Sequence, residues 1–136
     1  KNLFTVGDTL YLGRTATNIS GVADSLPEFY ALDENNLVAT PLILGSLPLS
    51  SSGDSINKIL VRDYLAFLLT NNQIQIRKIV QGSPWTFPQY TAPISLPNSG
   101  AGAALDCEGN YLYSASVPTS GAFENRGSIS ITTSSI

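Results

Sequence analysis

Val61-Arg62-Asp63-Tyr64-Leu65-Ala66-Phe67-Leu68-Leu69-Thr70 is the stretch whose reading decides the fold, because the chain says it three times. It lies without a gap over Val6-Gly7-Asp8-Thr9-Leu10-Tyr11-Leu12-Gly13-Arg14-Thr15. It lies again over Cys107-Glu108-Gly109-Asn110-Tyr111-Leu112-Tyr113-Ser114-Ala115-Ser116. Each copy opens on a small apolar residue, crosses polar or turn-forming positions, and enters an apolar and aromatic run that ends in Thr or Ser. That pattern is a tight turn feeding a buried strand. A restart at a period of roughly 50 residues is the mark of a repeat architecture.

Working outward, every segment between the copies also reads as strand or loop. Leu3 to Val6 precedes the first turn, and residues 16–27 are polar, contain Gly and end in Pro, as loops do. Glu28 to Asp33 is a strand, Asp33-Glu34-Asn35-Asn36 turns the chain, and Leu37 to Leu49 carries Pro41 and Pro48. Proline cannot donate to a ladder, so this segment is expected at an edge or a bulge. Residues 50–54 form the next loop, Ser55 to Val61 a strand, and Gln73 to Ile79 alternates with a period of two. Residues 80–97 hold Trp85, Phe87 and several prolines, the signature of a loose outer strand. Gly100 to Cys107 restarts the cycle, residues 117–126 form another polar loop, and Gly127 to Thr132 alternates again. No segment of helical length spaces its apolar residues by three and four.

The expected fold is therefore all-β and of β-propeller type, with about three four-stranded antiparallel blades over residues 1–49, 50–99 and 100–136. The alternative is an antiparallel β-sandwich, which also uses short strands separated by frequent turns but needs no restart in register. Valines 6 and 61 align with Cys107, which predicts a buried, unreactive thiol in a core position. Asp106 and Glu108 beside it disfavour a thiolate. The alternation predicts that Val61, Leu65, Phe67 and Leu69 build the core of the middle unit.

Composition narrows the function. Hydrophobic residues make up 43% of the chain and charged ones 12%, which excludes intrinsic disorder. A net charge of −3 without a basic cluster argues against nucleic acid as partner. No apolar run reaches the length of a membrane span. The chain has no Met, even at position 1, which predicts that a preceding segment has been removed. With no histidine, Ser-His-Asp and Cys-His nucleophiles and histidine metal sites are excluded. Cys107 is the single cysteine, so no intrachain disulfide can form.

The acidic turns 33–36 and 106–110 match no calcium loop, and Asp and Asn favour turns for backbone reasons. Neither a catalytic nor a metal-ligating residue is assigned, and no cofactor is expected. Trp85, Phe87 and Tyr90 are the candidate binding surface, since they sit in an irregular Pro-rich stretch, with packing between units the preferred role even for them. Asn18-Ile19-Ser20 fits an N-glycosylation sequon, relevant in a eukaryotic host.

The strings LYLGRT (10–15), PEFYALD (27–33), INKILVRDYLAFLLT (56–70) and ALDCEGNYLYSAS (104–116) resemble LVIVD-type propeller repeats. The resemblance is to the repeat region of prepilin-type bacterial surface proteins. It implies a propeller head displayed outside the cell or at its surface, pilus-associated, without catalysis. On this reading the chain is a structural or adhesive module. Its partners would be other copies or parent-chain blades, and a surface glycan or protein. Two rivals stand beside it. One is a carbohydrate-binding module with Trp85 as platform, and the other is a propeller-type hydrolase or lyase that uses carboxylates gathered at one channel mouth.

Overall fold

Each of the three copies folds as a two-stranded antiparallel hairpin closed by a two-residue turn. The computed structural model describes residues 2–15, 18–19, 22–23, 26–37, 41–49, 55–96, 101–117 and 128–133. Strands β1 (Asn2–Val6) and β2 (Thr9–Gly13) are joined at Gly7-Asp8. Strands β7 (Lys58–Arg62) and β8 (Leu65–Leu69) are joined at Asp63-Tyr64, and β11 (Ala101–Glu108) and β12 (Tyr111–Val117) at Gly109-Asn110. The first residue of every turn has left-handed backbone, with φ of 58° at Gly7, 54° at Asp63 and 58° at Gly109.

This shared conformation corrects the alignment by one residue. Gly7, not Asp8, is the counterpart of Asp63 and Gly109, because the turn selects for a residue that tolerates positive φ and not for a carboxylate. Val6 is then the counterpart of Arg62 and Glu108, which explains why it is exposed while Val61 is buried.

The remaining strands extend each hairpin into its own sheet. Sheet 1 has the order β1-β2-β5-β6, with β5 at Phe29–Asp33 and β6 at Ile43–Leu47. Sheet 2 runs β7-β8-β9-β10, with β9 at Gln73–Lys78 and β10 reduced to Ile94–Ser95. Sheet 3 is β11-β12-β13, the last at Ser128–Thr133. All pairings are antiparallel between neighbours, and none of the sheets is closed. The segment expected to be a plain loop at 16–27 holds a small hairpin of β3 (Asn18–Ile19) and β4 (Val22–Ala23). A single 3-10 turn at Glu34–Asn36 completes the described elements. Residues 50–54 and most of the loop expected at 117–126, from 118 on, lie outside the described residues, as does Gly127 of the strand expected after it.

The three sheets stack face to face in chain order. Strand β7 lies against β1 on one side and β11 on the other, so the first strands of the sheets are neighbours. Sheet 2 is the middle layer, and every residue of β8 is buried. Ala66 and Leu68 face sheet 1, in a cluster with Tyr11, Phe29, Ile59 and Phe87. Leu65, Phe67 and Leu69 face sheet 3, in a cluster with Ile74, Ile76 and Leu112.

The expected middle core is thus split between two interfaces. Val61 pairs with Ala66 across the hairpin and joins the sheet 1 side, away from Leu65, Phe67 and Leu69. A strand buried on both faces loses the polar alternation of a one-sided strand, which is why LAFLL reads as a continuous apolar run. Cys107 departs from expectation as well. It is half-buried at the margin of the second cluster, although its counterpart in the middle hairpin is the buried Val61.

Candidate functional site

The aromatic trio singled out in the sequence does not form a surface platform. Phe87 is 4% exposed and meets the ring of Phe29 edge-on, with centroids 5.0 Å apart and planes at 82°. Trp85 is half-buried against the same cluster, and its backbone N–H donates to the carbonyl of Leu44 at 2.8 Å. Gly45 allows that approach, since a Cβ there would lie 2.5 Å from the Trp85 carbonyl oxygen. Tyr90 is the exposed member, tied by its N–H to the Ile76 carbonyl. Residues 85–90 therefore clamp sheet 1 onto sheet 2. Of the two roles expected at Phe87, exposed surface and packing between units, it takes the packing one: the apolar environment offered by Phe29 and Leu68 outweighs exposure in the Pro-rich loop.

The two acidic turns use their oxygens locally. In the 33–36 turn, Asp33 accepts from the Asn35 N–H at 3.0 Å and from the Asn36 side-chain amide at 2.9 Å. The Asn35 backbone bond, then the Asn36 amide, hold the Asp33 carboxyl below its usual range. Asp106 accepts from the Cys107 N–H at 2.8 Å. Among the described residues no three His, Cys, Asp or Glu side chains converge as a metal site.

A cleft of about 320 Å³ lies where the first two hairpins meet. Val6, Val61 and Ile79 form its aliphatic wall. Thr9, Tyr11, Asp63, Tyr64 and Gln81 bring polar groups and two phenol rings to it. Tyr11 stacks on Phe29 at 5.9 Å with planes at 11°, which holds its ring in place. Burial pushes the Tyr11 phenol up from its ordinary value, so it keeps its proton. Asp63 is the one carboxylate in the lining, whereas glycoside hydrolysis uses a facing pair. Thr9, Tyr11, Asp63, Tyr64 and Gln81 were not singled out in the sequence as a site, because the turns that supply them belong to different sheets. In the corrected register the middle copy puts Asp-Tyr where the others put Gly-Asp and Gly-Asn, a difference that the gapless alignment hides in the first copy.

At the far end of the same strands, polar side chains bridge all three sheets. The Asn57 amide donates to the Gly102 carbonyl at 2.8 Å and to Asn71 Oδ1 at 3.1 Å. Asn2 donates in turn to the Asn57 carbonyl at 3.2 Å. At the cleft end, the Arg62 guanidinium donates to the Gly109 carbonyl and ties the second turn to the third.

Comparison of the chain with family models, with curated proteins and with solved structures gives no match.

Proposed function

We propose that this chain is a non-catalytic structural and adhesive module of a cell-surface or pilus-associated protein, built from propeller-type blades of the LVIVD kind. The observation that supports it is the stack itself. Three antiparallel sheets follow one another in chain order, their first strands lie side by side, and the middle one is buried on both faces. That is how consecutive blades pack around a propeller axis. Such a stack gains rigidity from each layer that covers the one before.

The outer face of sheet 1 carries the same kind of apolar surface that sheet 2 buries. Leu3 is 60% exposed and Ile43 54%, and Leu10 and Leu12 lie half-buried on the same face. A face of that composition is completed by a further sheet, supplied by another copy or by the parent chain. Closed propellers have about four to eight blades, so two copies of three make a ring of the common size.

Two measurements test this. An antibody against the chain should label intact cells that make the parent protein, and labelling confined to permeabilised cells overturns the display role. Sedimentation equilibrium of the 136 residues should show concentration-dependent association. A monomer at all concentrations overturns the assembly.

A further inference from the structure

We infer that the cleft between the Gly7-Asp8 and Asp63-Tyr64 turns binds a single neutral sugar ring. The inference deepens the adhesive reading and rests on it for the supply of glycans outside the cell, but the site is argued from its own chemistry. Size comes first. At about 320 Å³ the space is at the small end of ligand clefts, which run from about 300 to 1,000 Å³, and suits one ring rather than a chain.

Polarity comes second. Thr9, Tyr11, Tyr64 and Gln81 each offer both a donor and an acceptor, and Asp63 offers a strong acceptor. A pyranose presents hydroxyls that both donate and accept around its rim, and a C–H face that packs on aromatic rings. An anionic ligand meets the charge of Asp63 with no cation in the lining to offset it. An organic cation finds Asp63 and two phenol rings, but leaves the amide of Gln81 and the hydroxyl of Thr9 without partners.

Rigidity comes third. The Tyr64 carbonyl accepts from the Ile79 N–H at 2.7 Å, which fixes the turn to the end of β9 from within sheet 2. Arg62 fixes the same turn from the side of sheet 3. A site held from two sides pays less in lost freedom when it closes on a ligand. Asp63 also stands in the left-handed backbone that its two counterparts assign to glycine. The middle copy alone accepts that cost, and it alone follows with a large exposed aromatic, Tyr64, 68% accessible.

The test is an amide chemical-shift titration of the intact chain. The probes are the methyl glycosides of glucose, galactose, mannose and N-acetylglucosamine at millimolar concentrations, with tetramethylammonium as the cationic control. At least one glycoside should shift the amides of Asp63, Tyr64 and Gln81. D63G should weaken that binding about tenfold or more, the scale of losing a hydrogen bond to a charged acceptor. Folding does not confound the variant, since glycine suits the left-handed turn, and unchanged amides in β8 and β9 verify it. Tyr64→Ala gives a second reading through loss of the ring and its hydroxyl together, and Tyr64→Phe separates the stacking part. Absence of shifts with all four glycosides, equal affinity in D63G and Tyr64→Ala, or a response to tetramethylammonium alone overturns the sugar assignment. All of these are read in solution, so failure to label intact cells leaves them untouched.

Discussion

Toward sheet 1, sheet 2 meets aromatic rings, whereas toward sheet 3 it meets, among the described residues, one buried leucine and two buried serines. Tyr11, Phe29 and Ala31 enter the first interface, stapled by Phe87 and Trp85 from the loop after β9. Leu112 is the fully buried apolar residue that sheet 3 sends into the second, with Leu105 and Cys107 at its margin. Ser114 and Ser116 continue the Leu112 face and are also buried. Small residues let backbones approach, and at Gly102 a Cβ would come within 2.5 Å of the Thr70 carbonyl oxygen. The first interface is held mainly by buried apolar area. The second has less apolar area to draw on, so the directional bonds from Asn57 and Arg62 carry a larger share of it. Equal position in a repeat therefore does not mean equal means of attachment.

The largest expected effects come from the rings. Phe29→Ala and Phe67→Ala each remove a fully buried side chain and should cost about 3 to 5 kcal/mol in urea unfolding. Phe29 belongs at the upper end, because it touches both Tyr11 and Phe87. A Phe67→Ala cost below about 1 kcal/mol, the level of a surface substitution, would remove apolar burial from the second interface altogether.

Glycine substitutions come next and compare the interfaces directly. Gly13→Ala drives a Cβ to 2.6 Å from Ile56 Cγ2 and 2.9 Å from its Cβ, so a fully buried β-branched residue must turn aside. Gly102→Ala meets the Thr70 backbone, which cannot. Both should destabilise by about 1 to 3 kcal/mol, Gly102→Ala the more. The reverse order would mean that sheet 3 yields more easily than its close approach implies.

The strands were legible in the sequence because burial on one face or on both writes itself into apolar spacing. Leu65 to Leu69 shows the two-sided pattern, whereas Gln73 to Lys78 alternates in sequence although Gln75 is buried between Ile74 and Ile76. The register of the first copy was not. Asp8 and Asp63 look like a match, and only the left-handed φ at Gly7 reveals the offset. The partner against which Trp85 and Phe87 pack was hidden for a different reason. What buries them is sheet 1, through Leu44, Gly45 and Phe29, residues distant in the chain with no pattern that points back. The cleft shares that difficulty, since it exists only where turns from two sheets meet. Three sheets in sequence were foreseeable from the repeated hairpins, but the unlike character of their interfaces depends on which residues face each other across a layer.

A smaller effect isolates the polar bridge. Asn57→Ala removes the donor to Gly102 and to Asn71 and leaves their acceptors without that partner. The expected cost is about 0.5 to 1.5 kcal/mol, that of a net hydrogen bond, since Asn71 Oδ1 still accepts from the Ser55 hydroxyl. Amide exchange should report where the loss falls: faster in β11 and β12, and little changed in β2 and β5. Equal acceleration in both places would mean that Asn57 supports the whole stack rather than the second interface.

The smallest perturbation is a reporter that changes no residue. Cys107 sits half-buried at the margin of the second interface, so its thiol is neither open to reagent nor sealed in the core. If sheet 3 is the more loosely held layer, it opens locally at a lower free energy than the chain unfolds. A thiol reagent should then label Cys107 more slowly than a free thiol but faster than global unfolding, with a rate nearly flat in low denaturant. Asn57→Ala should accelerate that labelling, because the bridge it removes spans the surface that must part. Phe29→Ala, although more destabilising overall, should leave the rate almost unchanged while the chain stays folded, because its loss falls on the other side of sheet 2. Labelling at the global unfolding rate in every variant would show that both interfaces open together, and the distinction between them would disappear.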